Sequence, residues 1–291
     1  MSSSLRDSRY LFAYSLPLAA FVGVFYQGWW TWLTPAYVFG LVPFLEWLHT
    51  PAPAASEPAT TAPVRRSAFF DWLLYLNVPL QYGLLFYYLH VLTHQFLTGW
   101  EVAGMVFSVG ICCGALGINV AHELGHRAQR AEQRLAQTLL LSTLYLHFFI
   151  EHNRGHHRHV ATPLDPATAL FNEPFYRFLR RSVVGEYRSA WLLERTRLDR
   201  QAVPIWSGQN QMLQFLGAQI GALALVGFAF GWVGLLAWVG AAAVGVVLFQ
   251  LVNYVEHYGL LRRRTAAGAY ERVQPHHSWN SEHALRRFGG R

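Results

Sequence analysis

The sequence contains no lysine and only two cysteines among its 291 residues. Charged residues make up 13% of the chain and hydrophobic residues 53%, which excludes an ordinary soluble globular protein of this length. The two cysteines, Cys112 and Cys113, are adjacent within an apolar run. No CxxC pair exists, which excludes a structural zinc site or a rubredoxin-type iron site built on such pairs. We therefore predict that both thiols serve packing.

The apolar residues fall into six runs long enough to cross a hydrocarbon core roughly 30 Å thick. We predict an all-α polytopic membrane protein, in which six transmembrane helices form three hairpins and a histidine-rich cap lies on the cytoplasmic side. No cleavable signal peptide is expected. The chain is predicted to be one domain, 1–291, with a flexible linker at 50–66 and a cytoplasmic segment at 122–210. The predicted helices are 11–26, 30–47, 69–91, 102–121, 215–231 and 232–254.

All 23 basic residues are arginine, and their placement is one-sided. They precede the first predicted helix, occupy the linker, and then lie in the long middle segment and near the C-terminal end. The three short turns expected near Gln27, 93–99 and Gly231 carry no arginine. By the positive-inside rule, the termini, the linker and the middle segment are expected on the cytoplasmic side. The arginines flank membrane helices, so contact with the lipid bilayer is expected and nucleic-acid binding is not.

Fourteen histidines are many for this length, and eleven of them follow residue 121. His122 and His126 lie at the predicted exit of the fourth helix. A spacing of four puts both imidazoles on one helical face, where they can chelate one metal ion. The motif HExxH is also the signature of zinc proteases, with Glu123 as general base, so that alternative stays open here.

A second histidine group lies in EHNRGHHRH, where His152 and His156 repeat the spacing of four and His157 points about 100° round the same helix. This adjacent third histidine is expected to serve a second metal ion. His257 follows at the end of the sixth predicted helix. Three such groups exceed the needs of one tetrahedral zinc ion, so two metal ions are favoured, and imidazole ligands suit iron, copper or zinc. Packing or interface roles are predicted for His49, His90, His94, His147 and His159.

These motifs resemble those of the alkane 1-monooxygenases, within the integral-membrane fatty acid desaturase and hydroxylase superfamily. The resemblance runs through PFLE at 43–46, HELGHR at 122–127, HFFIEHNRGHHRHVATPLDPAT at 147–168, NYVEHYGLLR at 253–262 and PHHSWNSEH at 275–283. It implies that two non-haem iron ions are bound by His122, His126, His152, His156, His157 and His257.

The family pattern continues after HSWNSxH into a further helix and a last histidine box of the form LQRHSxHH. In this sequence Ala284 is followed by LRRFGGR. His276, His277 and His283 do not stand in the family pattern, so they are not expected to bind iron. The C-terminal part of the family domain is accordingly expected to be missing from this chain.

The resemblance implies terminal hydroxylation of medium or long-chain n-alkanes to 1-alkanols, with O2 and with electrons from rubredoxin and rubredoxin reductase. It also implies a multi-pass protein of the bacterial cytoplasmic membrane, whose arginine-rich face receives the acidic rubredoxin. Carboxylates next to the ligands are expected to accept hydrogen bonds from the distal ring nitrogens, namely Glu123, Glu151, Asp165 and Glu256. An apolar substrate channel is expected between the helices, ending at the irons. Aromatic residues of the first four helices could line it, although each one singly is predicted to be a packing or interface residue: Trp29, Trp30, Tyr37, Trp72, Tyr82 and Phe86.

Three other functions remain open from the sequence. A membrane zinc protease would use His122, Glu123 and His126 but would leave the later histidine groups unexplained. A desaturase or an aryl-methyl monooxygenase would share the metal site and differ in its product. The third is a truncated, inactive relative, which the absent LQRHSxHH box suggests.

Overall fold

A computed structural model of the chain describes residues 8–48, 68–266 and 268–279. The predicted linker at 50–66 lies outside these residues, as do His49 and His283. The elements of the described part are helices, and one isolated antiparallel bridge joins Arg264 to Tyr270. The predicted all-α class is confirmed for this part of the chain.

We number eight helices in the described residues and note where their hydrogen bonding changes. Their bounds are α1 Ser15–Tyr26, α2 33–48, α3 Ala68–His94, α4 Gly99–Gly125, α5 Arg130–Ser142, α6 148–159, α7 Phe175–Arg200 and α8 Gln211–His257. Short 3₁₀ turns lie at Ser8–Tyr14, Gly28–Trp32 and Pro275–His277. Turns of π-helix interrupt α2, α4 and α6 at Tyr37–Leu41, Cys113–Asn119 and His152–His156.

Within the described residues, two helices, α4 and α8, are long and apolar enough to cross a membrane. At 1.5 Å per residue, the 27 residues of α4 extend about 40 Å, more than the thickness of a hydrocarbon core. Thr98 and Glu101 start α4 with a capping box, because each side chain bonds the backbone N–H of the other. Asn210 starts α8 in a similar way by accepting from the N–H groups of Met212 and Leu213.

The chain reverses direction inside α8. Gly231 has φ +66° and ψ −173°, which breaks the helix at a backbone conformation that favours glycine. The Gln219 side chain donates to the carbonyl of Leu144, and the Trp238 indole donates to the carbonyl of Ser142. A straight helix would separate residues 219 and 238 by about 28 Å. Their side chains nevertheless bond the carbonyls of Leu144 and Ser142, which are only two residues apart in the chain. The two halves of α8 therefore lie side by side, with the turn at Gly231.

A glycine contact lets α4 and α8 approach closely. A Cβ added to Gly245 would lie 2.8 Å from the Cβ of Cys113 and 2.9 Å from the backbone nitrogen of Gly114, closer than real Cβ atoms come. Cys112 and Cys113 are both fully buried and unbonded to each other. The packing role predicted for the cysteines is confirmed, and the crossing fixes the histidine-bearing ends of the two helices relative to each other.

The turns without arginine lie together at the opposite end of the helices from the clustered histidines. The Glu101 carboxylate accepts from the backbone nitrogen of Gly28 at 2.8 Å, which joins the turn at Gln27 to the start of α4. A Cβ on Gly234 would lie 3.5 Å from the Thr93 methyl group, so the turn at Gly231 is close by. The arginine-free turns therefore lie at one end of the helices. The clustered histidines lie at the other end, which we call the histidine-bearing end: His122, His126, His152, His156, His157 and His257.

The aromatic residues predicted to line a channel are mostly on the outside of the molecule. Exposed side chains among them are Trp29, Trp30, Trp72 and Phe86. Tyr82 is held instead by a hydrogen bond to the carbonyl of Thr138, and Tyr37 bonds Ser15. The exposure of these four residues agrees with the interface role predicted for each singly, because helices in a membrane present large apolar side chains to lipid as readily as to their own interior.

Candidate metal centre

Four histidines from two helices form what we call the first cluster: His122, His126, His152 and His157. Their ligand atoms all lie within 4.8 Å of one another. The ring centroids of His122 and His152 are 4.4 Å apart, and those of His152 and His157 are also 4.4 Å apart. The Nε2 atoms of His126 and His157 approach to 3.0 Å. Nitrogen atoms this close can converge on one ion with bonds of the usual length near 2.0–2.1 Å.

A second pair, His156 and His257, adjoins the first cluster. Its ring centroids are 5.2 Å apart, and the ring of His156 is 5.1 Å from that of His152. His156 and His257 are both buried, with 8% and 4% of their surface exposed. The three histidine segments thus meet in one place. The four imidazoles of the first cluster lie together there, and the two imidazoles of the second pair lie next to them.

The structure corrects which histidine of α6 turns toward the second pair. The spacing in an α-helix predicted that His152 and His156 share one face and that His157 points elsewhere. Instead His157 lies in the first cluster, and His156 contacts His257. The cause is the π-helical turn His152–His156. Its hydrogen bonds join residues five positions apart, so His157, and not His156, lies on the same face as His152.

The corner between α4 and α5 is held by a buried arginine. Arg127 follows His126 and forms ion pairs with Asp71, at the start of α3, and with Glu132, at 2.7 Å. Tyr75 of α3 donates to the same Glu132 carboxylate at 2.9 Å. Arg127, which follows His126, therefore contacts both α3 and α5. These contacts limit the movement of His126.

Of the four carboxylates expected to hold imidazole rings, Asp165 is hydrogen bonded to one. Its Oδ2 atom lies 3.0 Å from Nδ1 of His156, and the carboxylate is fully buried. Glu123 instead lies 3.6 Å from Arg127 with its side chain 46% exposed, which does not favour the zinc-protease arrangement. Glu151 is buried and accepts from Ser189, while the backbone carbonyl of Glu256 accepts from Trp279.

The protonation states suit metal binding. Burial, together with the neighbouring His126 and His156, lowers the pKa of His157 to about 4. Burial, together with repulsion from the neighbouring histidines, chiefly His156 and His122, holds the pKa of His152 well below its ordinary value. Burial also lowers the pKa of His156, but Asp165 outweighs it and the net pKa is raised. Near pH 7, His152 and His157 are therefore neutral imidazoles with a lone pair available for a metal.

Two buried ring nitrogens support the same conclusion. Nε2 of His152 and Nδ1 of His257 have no hydrogen-bond partner among the described residues. Leaving a buried polar atom unpaired costs about 1–3 kcal/mol, and binding a metal would remove that cost. An all-imidazole, thiolate-free set of donors suits iron, among other transition metals. The residues present thus fit the pair of irons that the sequence motifs imply.

Other described histidines have different surroundings. His147 is buried between the rings of Tyr145 and Tyr187. His90 and His94 are exposed near the end of α3. His277 has both ring nitrogens engaged, because Nδ1 accepts from the backbone nitrogen of Gln274 and Nε2 faces Glu271. That arrangement leaves no free lone pair on His277, although Glu271, His276 and His277 are close enough together to suggest a metal site.

Sequence reasoning missed a buried polar network beside the second pair. Glu186 of α7 is fully buried and is hydrogen bonded to Tyr145, Ser182 and Gln250. Gln250 lies two turns before His257 on α8, and Tyr145 precedes α6. The network therefore joins the two helices that carry His156 and His257. Its one sequence signal is a glutamine, Gln250, within the apolar run of α8.

Comparisons with known proteins agree with this geometry. A family model described as fatty acid desaturase matches residues 98–289. The chain is 38% identical over 270 residues to alkane 1-monooxygenase 2 of Pseudomonas aeruginosa, covering 91% of this chain and 71% of the relative. It is 35% identical over 277 residues to the alkane 1-monooxygenase of Pseudomonas putida, covering 90% and 64%.

A relative named for a different substrate also matches. The hydroxylase component of the xylene/toluene monooxygenase of Pseudomonas putida is 27% identical over 262 residues, covering 89% of this chain and 68% of that protein. The chain thus spans between 64% and 71% of the length of these three relatives. It belongs to the fatty acid desaturase family and, within it, to the alkane 1-monooxygenases, which are oxidoreductase enzymes.

Proposed function

We propose that this protein hydroxylates the terminal carbon of medium or long-chain n-alkanes with O2, at a pair of non-haem iron ions. The observation that carries the proposal is the convergence of six imidazoles from three segments, with buried ring nitrogens left without partners. The first cluster would hold one iron, and the second pair would contribute to the other. When bound, the two irons supply the two-electron activation of O2 that hydroxylation of an alkane requires.

The chain's own residues orient the imidazoles. Asp165 accepts from Nδ1 of His156, which fixes the ring and directs Nε2 toward His257 and the cluster. One side of the centre is closed by buried histidines, namely His152, His156 and His257. The other side carries the more exposed His126 and His157. The buried side limits access of water, which favours an apolar substrate over a polar one.

We place the protein in the bacterial cytoplasmic membrane as six transmembrane helices in three hairpins, with the segment 122–210 in the cytoplasm. The support is the separation of the arginine-free turns from the histidine-bearing end. The aromatic side chains exposed on the helices suit contact with lipid. The linker at 50–66 and the single-domain organisation remain part of this proposal.

Rubredoxin, reduced by its reductase, is the electron donor we propose. The chain has no cysteine pair that would bind a second redox centre. Exposed arginines such as Arg130, Arg134 and Arg195 lie on the helices near the histidine-bearing end. Such a face attracts an acidic partner and speeds its association, chiefly at low ionic strength.

Activity and metal content test the proposal together. The purified chain in detergent, supplied with ferrous iron, rubredoxin, reductase and NADH, is expected to bind iron and to form 1-octanol from octane, measured by gas chromatography. His152→Ala is expected to reduce both, and His90→Ala, at an exposed position apart from the site, is the matched control. Absence of iron from the wild-type chain, or equal iron in both variants, would contradict the proposal.

A second candidate is hydroxylation of an aryl methyl group, which the xylene/toluene monooxygenase relative favours. The same preparation would be given octane and p-xylene in competition. A benzylic alcohol as the main product would support this second function over the first. Production of 1-octanol in excess is the result we expect.

A further inference from the structure

Residues 258–266 and 268–279, which we call the strap, follow α8 and fold back over the histidine-bearing end. The backbone nitrogen of Gly259 donates to Ala169, and that of Arg262 donates to Ala161 at 2.7 Å. The far end of the strap returns to α8, where the backbone nitrogen of Trp279 donates to Glu256 at 2.8 Å. The strap therefore contacts both sides of the second pair, His156 and His257.

The side chain of Arg262 bonds both α6 and the strap. Its Nη2 donates to the carbonyl of Arg158 at 2.8 Å, and its Nη1 donates to the carbonyl of Glu271 at 3.2 Å. The guanidinium also lies 5.8 Å from the centroid of the Tyr270 ring. One side chain thus joins the end of α6 to two points of the strap.

The carbonyl of Arg158 belongs to the last turn of α6, where the carbonyl groups have no partner within the helix. A cation that donates to such a carbonyl stabilises the helix end, through both the hydrogen bond and the helix dipole. Arg158 stands one residue after His157 and two after His156. Movement of this last turn would therefore move two of the six histidines directly.

We propose that Arg262 is a positioning residue for the metal centre, which caps the last turn of α6 and ties it to the strap, so that His156 stays against His257. This inference rests on the proposed function, in which both histidines bind metal. Arginine suits the position because its planar fork reaches two carbonyls at once. Lysine keeps the charge but presents a single donor group and cannot span both.

The first measurement does not depend on metal. Hydrogen–deuterium exchange of the full chain, in detergent and treated with a chelator, would be followed by mass spectrometry for the wild type, Arg262→Gln and Arg262→Lys. Losing a charge-assisted hydrogen bond at the helix end is expected to speed exchange of amides 158–162 by about tenfold in Arg262→Gln. Arg263→Gln, at the neighbouring exposed arginine, is the matched control and is expected to exchange like the wild type.

The second measurement is a titration of the same proteins with Co²⁺, followed by its visible absorption. Arg262→Gln is expected to bind the weaker of two Co²⁺ ions about tenfold to a hundredfold less tightly and with an altered spectrum. Arg262→Lys is expected to recover part of this loss, and it also serves if the glutamine variant fails to fold. Arg263→Gln is expected to leave both affinity and spectrum unchanged.

The outcomes separate this inference from the proposed function. Equal Co²⁺ binding by Arg262→Gln and Arg263→Gln would overturn the positioning role, even if amide exchange rises. Unchanged exchange would overturn the capping role. A wild-type chain that binds no Co²⁺ or Fe²⁺ would overturn the proposed function itself, and with it the claim that Arg262 positions metal ligands.

Discussion

Replacing Asp165 with asparagine changes one atom of a buried side chain, and the structure indicates how that change reaches the metal centre. Oδ2 of Asp165 accepts from Nδ1 of His156 at 3.0 Å and from the hydroxyl of Thr168 at 2.6 Å. Oδ1 accepts from the backbone nitrogen of Ala167 at 3.1 Å. All three neighbours donate, so the carboxylate acts purely as an acceptor.

An asparagine amide must turn an NH₂ group toward one of these donors. If the NH₂ group faces His156, the ring has to present a lone pair at Nδ1 and carry its proton on Nε2, the nitrogen needed for metal binding. If the NH₂ group faces Ala167, the loop loses a hydrogen bond and a buried N–H group loses its partner. Either orientation disturbs His156 without removing it.

Loss of a group that orients a metal-bound histidine usually weakens metal affinity by about tenfold to a hundredfold, or about 1.4–2.7 kcal/mol. The upper part of that range is expected here, because Asp165 is fully buried and no water can replace the missing acceptor. The first cluster does not contact Asp165 directly. The loss should therefore fall on the ion that His156 and His257 bind.

Titration of the chelated protein with Co²⁺, and iron analysis after reconstitution, would measure the effect. Asp199→Asn is the matched control, since that carboxylate is exposed and lies 3.9 Å from Arg195 on the same helix. Thermal unfolding without metal would show whether Asp165→Asn still folds. Wild-type affinity for both ions in a folded Asp165→Asn protein would refute the reasoning.

Three further predictions concern the ligands and the helix packing. His152→Ala should lower bound iron by about one ion per chain, because its buried Nε2 has no other partner among the described residues, and His90→Ala should not change the iron content. Gly245→Leu should destabilise the protein by about 1–3 kcal/mol in thermal unfolding, since its Cβ would overlap Cys113, whereas Gly217→Leu faces open space and should change the transition little. Gly231→Ala should cost about 1–3 kcal/mol, measured in the same way, because φ +66° with ψ −173° is a backbone conformation that only glycine adopts readily.

The positions of the candidate ligands could be predicted from the sequence because histidine spacing and hydropathy give independent information. The spacing of four identified the pair at 122 and 126, and the apolar runs placed His257 at the end of a helix. The absence of arginine marked the turns at Gln27, 93–99 and Gly231, where the chain does reverse or break. These signals are local, and each is readable within about twenty residues.

The division of the histidines between the first cluster and the second pair was not predictable in the same way. It depends on a π-helical turn at His152–His156, and a π turn leaves no clear mark in the spacing of apolar residues. The sequence could not distinguish lipid-facing from channel-facing aromatics on the first four helices, because both kinds of residue have the same composition. The network around Glu186 was missed because its members come from three distant segments.

The contacts of Asp165 and Arg262 suggest that the second pair is stabilised as a unit and not ligand by ligand. Thr168 donates to Asp165 and accepts from the backbone nitrogen of Ala161, and Ala161 in turn accepts from the backbone of Arg262. A change at either Asp165 or Arg262 therefore reaches His156 through the same loop. Asp165→Asn acts on the ring of His156, and Arg262→Gln acts on the last turn of α6 next to it. Because both act on one histidine, the two substitutions should be non-additive, and a double-mutant cycle on Co²⁺ affinity should show a coupling of about 0.5–3 kcal/mol. Strict additivity would mean that the loop and the strap support His156 independently.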